Sequence, residues 1–146
     1  MFFSKSFGYA LRGVLFVAMM SDEKKRVQID EIAERLSVPK HFLGKILNKV
    51  AKEGILDSTK GPYGGFSINQ NTFSTPLIKV LEVTEGLEQF NVCALSFREC
   101  SSPHPCPVHV YVQNFRSNLK MIFTVTTIKT LLTENKPDLI RSIATF

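Results

Sequence analysis

The sequence predicts a mainly α-helical fold that carries one small β-hairpin. Three observations predict it. Apolar residues recur at helical spacing through most of the chain. Two short strand-like runs flank a Gly-rich reversal between residues 55 and 68. A heptad-like seam then runs from Val108 to Thr126. The chain has 146 residues, 44% of them hydrophobic, so it can bury one domain core, with or without an appendage. Charged residues at 21% exclude wholesale disorder.

Residues 4–20 form the first expected helix, with Phe7, Ala10, Leu11, Val14 and Ala18 on its inner face. Its apolar stretch, 7–20, is too short to span a bilayer and carries Arg12, so it is a core helix. It has no signal-peptide cleavage pattern. A cytoplasmic location, reduced thiols and no membrane partner are expected.

Residues 22–26 make a polar connection. Ile29, Ile32, Ala33 and Leu36 then mark a two-turn helix over 29–36. Ser37-Val38-Pro39 breaks it, and Pro39 suits the first turn of a new helix over 39–53 that stops at Gly54. On a wheel of 100° per residue, Phe42, Leu43, Ile46, Leu47 and Val50 share the inner face. His41, Lys45, Asn48 and Lys52 line the opposite face. Two helices joined by a short turn, the second with a basic outer face, make a helix-turn-helix.

A strand over 55–59, a tight reversal over 60–65 and a returning strand over 66–68 follow directly. A hairpin in that place is a wing. The Gly64-Gly65 pair is no phosphate loop, because no Lys-Ser/Thr and no helix follow it. Thr75 and Pro76 open the next helix as N-cap and first residue, with Leu77, Val80, Leu81 and Thr84 inside and Gly86 at its end. Residues 87–107 are irregular. A long helix over 107–132 carries the seam Val108, Val112, Phe115, Leu119, Ile122 and Thr126, weakened by the β-branched run 124–128. Asn135-Lys136-Pro137 breaks it, and 138–146 is one more short helix. The seam can pack on its own domain or on a second copy, and the expected fold is a winged helix-turn-helix plus a long C-terminal dimerisation helix. Its divisions are 1–86 for DNA binding, 87–107 for the cysteine loop and 108–146 for dimerisation.

Charge is concentrated. The formal net charge is +5. Residues 24–60 hold nine basic and five acidic side chains, a net of +4. Such a field attracts a polyanion, although charge alone favours a merely solvated helix face; with the helix-turn-helix and wing, the expected partner is double-stranded DNA. The candidate contacts are Pro39, Lys40, His41, Lys45, Asn48, Lys49, Lys52, Lys60 and Tyr63. His41 and Lys45, near the start of their helix, suit base edges, while Lys49, Lys52 and Lys60 suit phosphates. Tyr63 at the wing tip suits backbone or minor groove.

The second chemistry is the array Cys93-x6-Cys100-x5-Cys106-x2-His109. Thiolates and an imidazole could close around zinc or an iron–sulfur cluster. The wide gaps in a Pro-rich loop suit a cluster better than one ion. Three reduced cysteines with no ligand, or reversible thiol oxidation, are the competing readings. His104 is a competing ligand that reads as a solvent-exposed bystander. No Cys–His–acid arrangement sits on rigid elements and no nucleotide motif occurs, so no enzyme activity is expected. A non-regulatory metal-handling protein is the other class.

Ile29-x-x-Ile32-Ala33, Phe42-Leu43-x-x-Ile46-Leu47, Lys60-Gly61-Pro62-x-Gly64-Gly65-Phe66 and the spaced cysteines together resemble the Rrf2 family. This is the family of bacterial winged-helix regulators with IscR-like and NsrR-like iron–sulfur sensors. Ser4-Lys5-x-x-x-Tyr9-Ala10 also looks like its first helix. The resemblance implies a homodimer whose long C-terminal helix crosses the partner, on an imperfectly palindromic operator. It implies an iron–sulfur cluster, 2Fe–2S ahead of 4Fe–4S, held by Cys93, Cys100 and Cys106. His109 stands where the IscR-like branch has its fourth ligand. The acidic ligand of the NsrR-like branch has no counterpart in residues 5–8. Gly44 stands where IscR-like members have a glutamate that affects which DNA sequence is accepted.

Overall fold

The computed structural model describes residues 3–93, 95, 103–134 and 143. They form α1 (Lys5–Met20), α2 (Ile29–Leu36), α3 (Lys40–Lys52), β1 (Asp57–Thr59), β2 (Gly65–Ser67), α4 (Leu77–Glu85), a 3-10 turn (Glu88–Phe90), α5 (His109–Val125) and α6 (Ile128–Glu134). The mainly helical fold with a hairpin wing is the one expected.

The core forms around α1. Ser4 caps it, its Oγ accepting the Phe7 N–H at 3.3 Å. Residues 13–18 are all buried, so this part of α1 is covered on every side. α2, α3, α4 and α6 pack against it. α2 contributes Ile32, Ala33 and Leu36, and ends as Ser37 turns left-handed (φ 55°, ψ 46°). That residue, with buried Val38, makes the turn of the helix-turn-helix. Pro39 is the N-cap of α3 and not its first residue, a shift of one position.

α3 buries Leu43, Leu47 and Val50, and half-buries Ile46. Phe42 departs from the expected inner face and is 56% exposed. It lies at the edge of the buried arc, where α1 presents Tyr9 and not an apolar pocket; the two rings meet edge-on at 6.5 Å.

The wing is shorter than the sequence indicates. Ile55 and Leu56 turn into the core, leaving three residues per strand. Asp57 pairs with Ser67, Ser58 with Phe66 and Thr59 with Gly65. Val27 adds an isolated antiparallel rung to β2, exchanging two 2.8 Å hydrogen bonds with Phe66. The hairpin is thereby tied to the segment before α2. Gly65 makes this approach possible. Its φ is +140°, and a Cβ there would stand 2.6 Å from the Val27 carbonyl oxygen.

Two further boundaries move. Pro76, not Thr75, caps α4, because the Thr75 hydroxyl donates to the Asn71 carbonyl at 2.7 Å. The expected helix over 107–132 is two helices. Thr126 is extended (φ −85°, ψ 121°), and Thr127 pairs antiparallel with Pro76. The Leu77 N–H donates to Thr126 O at 2.9 Å and the Ile128 N–H to Thr75 O at 3.0 Å. The β-branched run makes this break cheap, and the two new hydrogen bonds fix it. α6 then buries Ile128 and Leu132 in the same core, which Ile143 also joins. The rest of the helix expected over 138–146 lies outside the described residues.

The seam residues of α5 share one side of the helix but are unevenly covered. Val108, Val112 and Leu119 are half-buried, while Phe115 and Ile122 are exposed. α5 packs on α4 and the 3-10 turn, and its Phe123 ring meets Phe3 at 5.1 Å and Phe7 of α1 at 5.8 Å.

Gly65→Ala should destabilise the chain by about 2 kcal/mol, since both backbone conformation and space oppose a side chain. Urea unfolding measures this. Unchanged stability would mean that the Val27–Phe66 rung does not require the observed approach.

Candidate nucleic-acid interface

With Leu43, Leu47 and Val50 turned inward, the 100° step of α3 leaves Lys40, His41, Lys45, Asn48, Lys49 and Lys52 exposed. Pro39, also exposed, opens the helix. Lys40 forms a 2.6 Å ion pair with Asp30 of α2 and Lys24 a 2.7 Å pair with Glu31. Among the described residues no ion pair engages Lys45, Lys49, Lys52 or Lys60. The positive field therefore falls on the outer side of α3 and the base of the wing.

The wing stands beside α3. Gln28, the N-cap of α2, donates from Nε2 to the Pro62 carbonyl at 3.0 Å and fixes the turn. The Gly64 N–H closes the turn onto Gly61 O at 3.0 Å. Lys60 lies at the foot of the hairpin, and Tyr63 at its tip is 86% exposed. Asn48 and Gly44 of α3 face Ser58, Lys60 and Pro62 across an open groove of 470 Å³. Sequence reasoning did not find Gln28 or Val27 in this arrangement. A β-branched residue alone after a basic run is the one local signal for Val27.

The cysteine loop is only partly described. Cys93 is buried, Cys106 is half-buried and His104 is exposed. Cys100 lies outside the described residues. His109 is buried and opens α5, its N–H donating to the Cys106 carbonyl at 2.9 Å. Cys106 thus sits in the turn that leads into α5, three residues before His109. Arg116, two turns further, donates from Nη1 to the Phe90 carbonyl at 3.2 Å and also to the Val92 carbonyl. The segment that delivers Cys93 is thereby fastened to the helix that carries His109. His109 and Arg116 border a small cavity of 220 Å³ with Asn91, Gln113 and Lys120. Two thiols and an imidazole are a suitable donor chemistry for iron or zinc. Among the described residues, no three such side chains are gathered closely enough to hold a metal ion. Arg116 was not found from sequence, where it is one of two Lys/Arg residues on a helix of mixed polarity.

Three comparisons place the chain among known proteins. The Rrf2 family model, described as an iron-dependent transcriptional regulator, matches residues 3–134. The chain belongs to the Rrf2 family. A relative from Aquifex aeolicus, provisionally named an HTH-type transcriptional regulator, is 31% identical, covering 90% of this chain and 92% of its own. The HTH-type transcriptional regulator IscR of Vibrio vulnificus is 23% identical over 88% of this chain and 75% of its own. The solved structure of CymR, the global cysteine regulator of B. subtilis, superposes with a TM-score of 0.74. It covers 91% of this chain and 97% of CymR at 17% identity, and so shows the shared fold. As an Rrf2 protein the chain is a transcriptional regulator with a DNA-binding winged helix. Among its described residues no helix is long and apolar enough to cross a membrane.

Arg116→Ala should cost about 1.5 kcal/mol, the low end for a charged donor at a half-buried site. Amide exchange should quicken at residues 88–93 and not in α1. Unchanged exchange there would show that Arg116 does not hold the loop.

Proposed function

We propose that this Rrf2 protein is a homodimeric, sequence-specific regulator whose affinity for an imperfectly palindromic duplex is set by an iron–sulfur cluster at the cysteine loop. The observation that carries the DNA reading is the pairing of a lysine-rich exposed α3 with a wing across one groove. α3 enters the major groove, with His41 and Lys45 nearest the bases. Asn48 borders the groove on the wing side, and Pro39 and Lys40 lie at the helix start. Lys49, Lys52 and Lys60 meet phosphates, and Tyr63 reaches backbone or minor groove.

Dimer formation is supported by the outer side of α5. Tyr111, Phe115, Ile122 and Val125 follow each other at helical spacing and are all exposed. A two-fold pairing would cover them and set two copies of α3 about 34 Å apart, one DNA turn.

Cys93, Cys106, His109 and Cys100 would hold the cluster. When bound, a cluster supplies a centre that responds to oxidants, nitric oxide and iron supply. The family description as iron-dependent supports this. Arg116 holds the start of the loop on α5, and α5 packs on α4 beside the winged unit. A change in how Cys93 and Cys106 are held is therefore passed to α5 and, in a dimer, to the spacing of the two α3 helices. Such coupling typically spans ~1–3 kcal/mol, or roughly 5–150-fold in affinity.

One selected duplex titrated without oxygen by loaded protein, stripped protein and Cys100→Ala tests the reading. A brown loaded protein whose affinity differs from the other two is expected. Equal affinities for all three contradict sensing at this loop, and a colourless protein with stoichiometric zinc contradicts the cluster. Lys60→Ala should lower the slope of log affinity against log salt by about one on any duplex. An unchanged slope removes Lys60 from the interface. Phe115→Asp should yield monomers in light scattering that bind DNA weakly, and an unmodified protein that is monomeric contradicts the dimer.

A further inference from the structure

Phe42 sits in the first turn of α3 with more than half its surface in solvent. Single exposed apolar side chains are common and need no explanation by themselves. This one has a defined place. Spacings of three and four residues put Phe42, Lys45 and Lys49 in one exposed row along α3. Any surface that meets those lysines meets the Phe42 ring.

The ring is also supported. Tyr9 of α1 meets it edge-on at 6.5 Å and 70°, and the Arg12 guanidinium lies 5.0 Å from the Tyr9 ring centre. Phe42 is thus buttressed from behind and open in front. The start of a recognition helix is the part that goes deepest into the major groove. On the base edges exposed there, the apolar group is the C5-methyl of thymine.

We propose that Phe42 is a specificity residue whose ring packs on a thymine methyl in each half-site. This rests on the reading of α3 as the recognition helix. Lys45 and Lys49 draw the duplex in whatever its sequence. Phe42 gains only where a methyl faces it, because elsewhere it would displace water from polar base edges.

The test uses the full chain and a duplex that the chain itself enriches from a random-sequence pool. Each thymine is replaced in turn by deoxyuridine, which keeps every hydrogen-bonding group and removes only the methyl. One position per half-site should lose about fourfold in affinity, the value of one buried methyl-sized group. The same replacement should have no effect on Phe42→Ala, and Phe42→Leu should keep part of the discrimination. Thermal melting checks that both variants fold. Indifference of the unmodified protein to deoxyuridine at every position overturns the assignment and needs no variant. An unreduced loss in Phe42→Ala overturns it equally. Failure to enrich any sequence would instead overturn the DNA reading itself, and this assignment with it.

Discussion

Leu47 of α3 seats directly against Gly13 of α1, and the outward face of the recognition helix depends on that contact. A Cβ at residue 13 would stand 2.7 Å from Leu47 Cδ2, so any side chain there would force the Leu47 side chain out of its present seat. With hydrogen in its place, Leu43, Leu47 and Val50 are all excluded from water against the core. Close packing of this kind permits little rotation of a helix about its axis. The direction of every exposed residue on α3 follows from the three that are buried. The wing is held by a separate device, the paired hydrogen bonds between Val27 and Phe66, which join it to the entrance of α2. Helix and wing therefore present themselves as one rigid face.

Much of this was legible in the sequence because it is local. The bounds of α2 follow from a two-turn apolar stripe and the break after it. α3 follows from its own stripe, with Pro39 before and Gly54 after. The wing turn follows from Gly61, Gly64 and Gly65. What was not legible depends on residues far apart in the chain. Phe42 lies at the edge of its wheel, where the identity of the neighbour decides, and that neighbour is Tyr9. The break after Val125 needs Leu77 to donate to Thr126 and Thr75 to accept from Ile128. Val27 joins the wing only because β2 returns to it.

The cysteine array shows the same division. Its residue types and the order Cys93, Cys100, Cys106, His109 declare a ligand chemistry, but spacing in a Pro-rich loop carries no geometry. The structure adds the buried His109 at the head of α5, beside Cys106, and the Arg116 hold on the segment leading to Cys93. These are links that a change at the loop would use to reach the rest of the molecule. They are also links that no periodicity contains, since a guanidinium bonding backbone carbonyls leaves no pattern in the residues it bonds.

Hydrogen–deuterium exchange of the full chain, alone and with an enriched duplex, tests most directly whether α3 and the wing act as one DNA-binding face. Slowed exchange should appear together in residues 40–52 and 60–66 and in the Val27 segment, at one and the same duplex concentration. Protection confined to α3, or protection elsewhere with both of these unchanged, would contradict it.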